Sequence, residues 1–145
     1  MSSALTIEDR ALIERARAAI RDRYRREWHV IGAALRTRRG LLFTGVHLDA
    51  NVGRIAVCAE AVALGRAATE AGDTEIDTIV AVYHPEPGAI DQTIRIVSPC
   101  GMCREMISDY SPRARVIMPG DGNGALVLPI EALIPGKFAR PIHDF

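Results

Sequence analysis

Aromatic side chains are scarce in this chain: one Trp, three Tyr and three Phe make up 5% of 145 residues. A single-stranded nucleic-acid platform needs exposed rings set among basic residues, and there is little here for bases to stack on. A surplus of either charge is also missing, because eighteen Lys and Arg balance eighteen Asp and Glu. No global field draws nucleic acid or anionic lipid, and a small neutral or mixed-charge ligand fits better. Apolar runs stop well short of the roughly 18 residues of a membrane span. The start, MSSALTIEDRALIERAR, lacks the basic-then-apolar layout of a secretory signal, so a cytoplasmic protein is expected. Cysteine is confined to Cys58, Cys100 and Cys103. That number is odd and too small for a disulfide scaffold, so the three call for an account as ligands, nucleophile or core.

What is present, 48% hydrophobic and 25% charged residues, is the ordinary balance of one compact domain, and residues 1–145 read as one. A chain of this length buries roughly two-thirds of its unfolded surface. Thr6-Ile7-Glu8-Asp9 has the form of a helix cap with an acidic first turn, and Ile13, Ala16, Ile20 and Tyr24 follow at helical spacing. A first helix near 7–25 is expected. Residues 29–37 and 41–47 are apolar, partly β-branched runs around Arg38-Arg39-Gly40, the pattern of a hairpin. Residues 57–71 are alanine-rich and stop at Gly72, a helix with a glycine end. Residues 76–83 read as a buried strand, IRIV as a short one, and Pro99 as the opening of a helix carrying Met102, Met106 and Tyr110. ARVIM and ALVLPI are further strands around a GDGNG turn.

Strands alternating with helices predict an α/β fold: a three-layer α/β/α sandwich on a mixed sheet of about five strands. Residues 10–39 hold ten arginines against three acids. A solvated helix face accounts for them.

Two short pieces carry chemistry. Cys58-Ala59-Glu60 opens one predicted helix and Pro99-Cys100-Gly101-Met102-Cys103 opens the next. Cysteines three apart on a helix face the same way and grip one cation from a single side, with Cys58 as the third ligand. Helix N-termini favour the thiolate, the form that binds metal. Zinc prefers tetrahedral sulfur and nitrogen ligands, and three protein ligands leave the fourth position for water. Glu60, two residues from a ligand, is placed to move protons to and from that water. Gly101 is expected to let the chain approach the metal closely. The C/H-x-E and P-C-x-x-C pattern is the one set out for zinc nucleobase deaminases. Other readings stand beside it: three core cysteines, a redox Cys-x-x-Cys, or a closed structural zinc site drawing a fourth ligand from His29, His47, His84 or His143.

With these motifs in place, the chain resembles the cytidine deaminase family, including its blasticidin-S deaminase branch. VIGAALRTRRGLLFTGV is similar to the family's first hairpin, VCAEAVALGRAATEAGDTEIDTIVAV to its first zinc helix and following strand, SPCGMCREMISDY to its second, and EALIPGKF to its tail. The resemblance implies a zinc held by Cys58, Cys100 and Cys103, Glu60 as proton shuttle, a free nucleoside as substrate, no nucleic-acid or membrane partner, and a homo-oligomer, tetramer or dimer. Ala59 lies in its substrate-orienting segment. Phe138 matches the tail aromatic that lies against a neighbouring subunit's base. The family's ribose-binding Asn and Glu are His47 and Asp49 here, and its pocket aromatic is His29, beside Trp28. Ala61 stands where tri-cysteine members often have Arg, an arginine that the blasticidin branch also lacks, with Arg54 or Arg104 as candidate substitutes for that charge. The eleven-residue step from His47 to Cys58 resembles the nucleoside enzymes instead.

Overall fold

The computed structural model describes residues 4–141. Helix α1 (Ile7–Arg23) opens with a capping box: the Thr6 hydroxyl accepts from the Asp9 amide and the Asp9 carboxylate from the Thr6 amide, each at 3.0 Å. Tyr24 is its C-terminal cap, and the chain turns at once, with the Trp28 and His29 amides donating to the Arg25 carbonyl. Glu27 takes a left-handed conformation there, φ 64°. The turn uses up His29 and Val30, so β1 (Ile31–Thr37) starts two residues later than its apolar run.

β1 pairs antiparallel with β2 (Leu42–Val46) on one side and β3 (Ile76–Tyr83) on the other. β3 also carries β4 (Arg95–Val97), antiparallel at its far end, and β5 (Arg115–Pro119), parallel near its start. β6 (Ala125–Pro129) closes the order β2-β1-β3-β5-β6. Five strands in a row with β4 beside β3 make the mixed sheet. Arg36 faces Thr78 and Thr37 faces Ile76, leaving Asp77 as the extra residue of a bulge. That bulge explains how Ile76 and Ile79, three apart, reach the same core.

The sheet separates two apolar layers. Leu12, Ile13, Ala16 and Ile20 of α1 pack on Ala34, Val80, Val82 and Ile117. On the opposite face, α2 (Ala59–Arg66) and α3 (Gly101–Tyr110) cover Ala33, Leu35, Ile79 and Val116 through Ala59, Ala63, Cys103 and Ile107. This is the expected α/β/α sandwich. The buried face of α3 is Cys103 and Ile107, whereas Met102 and Tyr110 are exposed. The alanine-rich helix begins at Ala59 rather than 57, widens to a π turn over Ala67–Ala71, and ends at left-handed Gly72.

Part of the arginine surplus is structural. The fully buried Asp9 carboxylate accepts from Arg115 at 2.8 and 2.9 Å and from Arg36 at 3.3 Å, and Arg36 also reaches Asp77 at 2.9 Å. α1 is thereby pinned to β1 and β5 by hydrogen-bonded charge. Arg17 pairs with Glu14, and Arg26 with Glu86. Among the described residues no helix is long and apolar enough to cross a membrane.

Candidate active site

The site is set by how α2 and α3 begin. The backbone of Leu48, just past β2, exchanges two hydrogen bonds of 2.9 Å with Val57. Residues 49–56 therefore form a closed excursion that returns the chain beside the end of β2, with Cys58 next in line. α2 then crosses β2 at Gly45, where an added Cβ would stand 2.6 Å from the Ala59 carbonyl oxygen and the Ala63 amide nitrogen. Only glycine admits that approach. Gly101 is different: outside its chain neighbours and its own helix backbone, no atom lies within 4 Å of where its Cβ would be.

Cys58 and Cys100 are the N-caps of α2 and α3, both in extended backbone, and Cys103 lies in the first turn of α3. The three sulfurs fall within 4.8 Å of one another, with 3.5 Å between Cys58 Sγ and Cys100 Sγ. Two sulfurs each 2.3 Å from one tetrahedral ion lie about 3.8 Å apart, so the cluster has the dimensions of a zinc site. No His, Asp or Glu among the described residues joins it. His143, one candidate for a fourth ligand, lies outside the described residues.

Charge supports the same assignment. Burial pushes the Cys58 thiol up, with the Cys100 thiol adding to it. Burial followed by the Glu60 carboxylate pushes Cys103 far up. Burial also raises the Cys100 thiol, but the Cys103 amide and the neighbouring thiols outweigh it and leave Cys100 below its ordinary range. Glu60, 5% exposed, is raised by burial as well. Cys58, Cys103 and Glu60, crowded together and buried, resist ionising unless a cation sits among them, and a divalent ion inverts that logic. The donor set fits zinc.

The remaining sequence candidates divide. His29 and His47 come together, ring centroids 6.4 Å apart, where β1 begins and β2 ends. His29 Nδ1 donates to the His47 carbonyl at 2.9 Å. His47 Nδ1 accepts from the Val30 and Ile31 amides at 3.0 and 3.2 Å. One oxygen of the exposed Asp49 accepts from the Ala50 amide at 2.7 Å. Ala59 is fully buried against β2. Phe138 is not brought to the cysteines: it is 70% exposed, and Lys137 beside it is held by Glu105 and Asp109 of α3 at 2.8 and 2.7 Å. Arg104 bonds the Pro99 carbonyl at 2.9 Å and the Leu133 carbonyl at 3.1 Å, fixing the loop that delivers Cys100. Arg54 is exposed.

Sequence reasoning missed two contributors: Gly45 and the Leu48–Val57 bridge.

The model of the cytidine and deoxycytidylate deaminase zinc-binding region matches residues 6–118. A blasticidin-S deaminase of Bacillus cereus is 48% identical over 134 residues, 92% of this chain and 94% of that protein. A cytidine deaminase of Halalkalibacterium halodurans is 28% identical over 116 residues, 79% of this chain and 81% of that one. Among solved structures, a Burkholderia pseudomallei cytidine deaminase superposes with TM-score 0.71 at 27% identity, covering 92% of this chain and all of that one. A Bacillus anthracis cytidine deaminase, 19% identical, shares the fold with TM-score 0.74 over 89% of this chain and 88% of that one. With the cysteine triad at two helix starts and a buried carboxylate on the first of them, the chain belongs to the cytidine and deoxycytidylate deaminase family, whose metal is zinc.

Proposed function

We propose that residues 1–145 form one zinc-dependent hydrolytic deaminase domain acting on a free cytosine nucleoside or nucleoside analogue. Water and the C4 amine are exchanged for a C4 carbonyl and ammonia. The observation that carries this reading is the three-sulfur cluster with Glu60 buried in the first turn of the helix that Cys58 caps. Cys58, Cys100 and Cys103 hold the ion, which supplies Lewis acidity that brings the pKa of water toward neutrality. Glu60 takes a proton from the attacking water, delivers it to ring N3, and returns one to the departing amine. A carboxyl raised by burial suits both halves of that task, since its proton affinity lies closer to working pH. The backbone at Cys58 and Ala59, fixed against Gly45, orients the exocyclic amine.

His29, His47 and Asp49 form the wall that meets the rest of the substrate. Their difference from Asn and Glu, together with the 48% identity to a blasticidin-S deaminase, favours a modified cytosine nucleoside of the blasticidin S kind over cytidine. The working form is a homo-oligomer, dimer or tetramer, in the cytoplasm. Val52 and Ile55, 57% and 65% exposed on the excursion before Cys58, are apolar surface that a second copy would cover. Phe138, free on its own subunit, would reach a neighbour's site.

The test is turnover of zinc-loaded protein with cytidine, deoxycytidine and blasticidin S, followed by ammonia release and ultraviolet change. Deamination with preference for blasticidin S is expected. Nucleoside binding with no ammonia from any of the three would replace the enzyme by a binding protein.

A further inference from the structure

The three sulfurs are not held by the same means. Cys103 is 1% exposed and packs with Ile107 and Ala114 in the core. Cys58, half-buried, takes its place from the contact between Ala59 and Gly45. Cys100 is exposed, so packing does little to fix it. What fixes it is residue 104, in two ways. The Arg104 amide donates to the Cys100 carbonyl at 2.9 Å, and Arg104 Nε donates to the Pro99 carbonyl, also at 2.9 Å. The same guanidinium reaches on through Nη1 to the Leu133 carbonyl at 3.1 Å. Because a guanidinium is a planar, rigid fork, two carbonyls bound to one of them are kept at a set separation.

The far end of that strut is itself anchored. Leu133 closes the 3₁₀ turn Ile130–Leu133, and Ile130 is fully buried in the same core cluster as Cys103 and Ile107, with its amide donating to the Ala114 carbonyl at 2.9 Å. Beyond left-handed Gly136, φ 66°, Lys137 Nζ bridges Glu105 and Asp109 of α3. Residues 130–137 therefore form a strap on α3, fastened at Ile130 and at Lys137. Between those fastenings Arg104 joins it to the loop that carries Cys100.

We propose that this strap sets the position of the exposed ligand Cys100 through Arg104, a positioning residue, so that seating of the strap and retention of zinc are coupled. The inference rests on the zinc-dependent deaminase reading and adds a distant segment on which the metal's retention depends. Linkage makes the coupling reciprocal: zinc favours the placed Cys100 and thereby the seated strap, by the same factor as the strap favours zinc.

The test is zinc affinity of the full chain, read by competition with a chromophoric chelator. Arg104→Met is expected to weaken zinc roughly 10- to 100-fold, the usual effect of losing a partner that orients a metal ligand. Arg104→Lys keeps the charge but not the fork, and is expected to fall between Arg104→Met and wild type. Lys137→Met is expected to weaken zinc in the wild-type background and to add little once Arg104→Met has cut the link. Hydrogen exchange supplies a readout apart from turnover: zinc loading is expected to slow exchange over residues 130–134 in wild type and not in Arg104→Met. Wild-type zinc affinity in Arg104→Met, or a Lys137→Met effect of equal size in both backgrounds, overturns the proposal and leaves the deaminase reading standing. A wild-type chain that binds no zinc overturns the deaminase reading instead. The strut is then judged on metal-free protein, where faster exchange of Arg104→Met over both 100–104 and 130–134 supports it and unchanged exchange at either refutes it. Should Arg104→Met fail to fold, Arg104→Lys takes its place in each comparison, with the same outcomes deciding.

Discussion

Gly45 and Ala59 touch main chain to main chain: a single carbon added to Gly45 would stand 2.6 Å from the Ala59 carbonyl oxygen. At Gly45 the backbone of α2 thus lies directly on β2. Cys58 and Glu60, the two neighbours of Ala59, take their positions from that contact. Packed interiors transmit such displacements because they have no slack.

Gly45→Ala is accordingly expected to act at the site as well as on the fold. Overpacking of this kind costs about 1–3 kcal/mol. Thermal unfolding should report the loss of stability, and metal analysis after dialysis should report weaker zinc retention than in wild type. Full zinc occupancy in a destabilised Gly45→Ala protein would separate the contact from the site.

Glu60→Gln separates chemistry from metal binding. Removing a general acid–base of this kind lowers kcat roughly 100- to 10,000-fold, while zinc content is expected to stay at the wild-type level. A second readout comes from protein stripped of metal. Burial raises the Glu60 carboxyl above its ordinary value of 4.5. The folded chain then keeps a proton that the unfolded chain releases, so this group's contribution to stability falls as pH rises from about 4.5 to the folded pKa. Denaturant titrations should show that slope in wild type and its disappearance in Glu60→Gln.

The ion cluster under α1 has the opposite sign. Burial opposes ionisation of Asp9, but Arg115, the Thr6 amide and Arg36 outweigh it and hold its carboxyl well below 3.8. The cluster's stabilisation is complete above about pH 4 and is lost as pH falls toward the folded pKa. Asp9→Asn leaves two guanidinium groups short of a partner and is expected to cost about 3 kcal/mol at pH 7. The acid limb of the stability curve should flatten in the variant.

Much of the chemistry was legible because it is local. Cys58, Glu60, Cys100 and Cys103 sit at fixed short spacings beside helix starts, and both Thr6–Asp9 and Gly72 announce helix ends through the groups that satisfy them. What stayed hidden depends on register. Gly45 matters only because α2 crosses β2 there. The acceptor role of His47 follows from its lying beside the first amides of β1, a pairing no spacing encodes. Ile76 and Ile79 share a face only through the Asp77 bulge. The turn before β1 carries no glycine or asparagine to mark it, since Glu27 occupies the left-handed position.

That last residue gives a simple stability test. A non-glycine side chain in the left-handed region is strained by about 1–2 kcal/mol, part of which glycine returns to a more flexible unfolded chain. Glu27→Gly is expected to raise stability by up to about 1 kcal/mol, seen as a higher Tm with unchanged zinc content.

The central claim is that three cysteine sulfurs hold one zinc ion and leave its last corner to solvent or substrate. Zinc X-ray absorption on the loaded protein tests it most directly. Three sulfur neighbours at about 2.3 Å and one oxygen neighbour are predicted. Four protein ligands, or no tightly bound zinc at all, would contradict it.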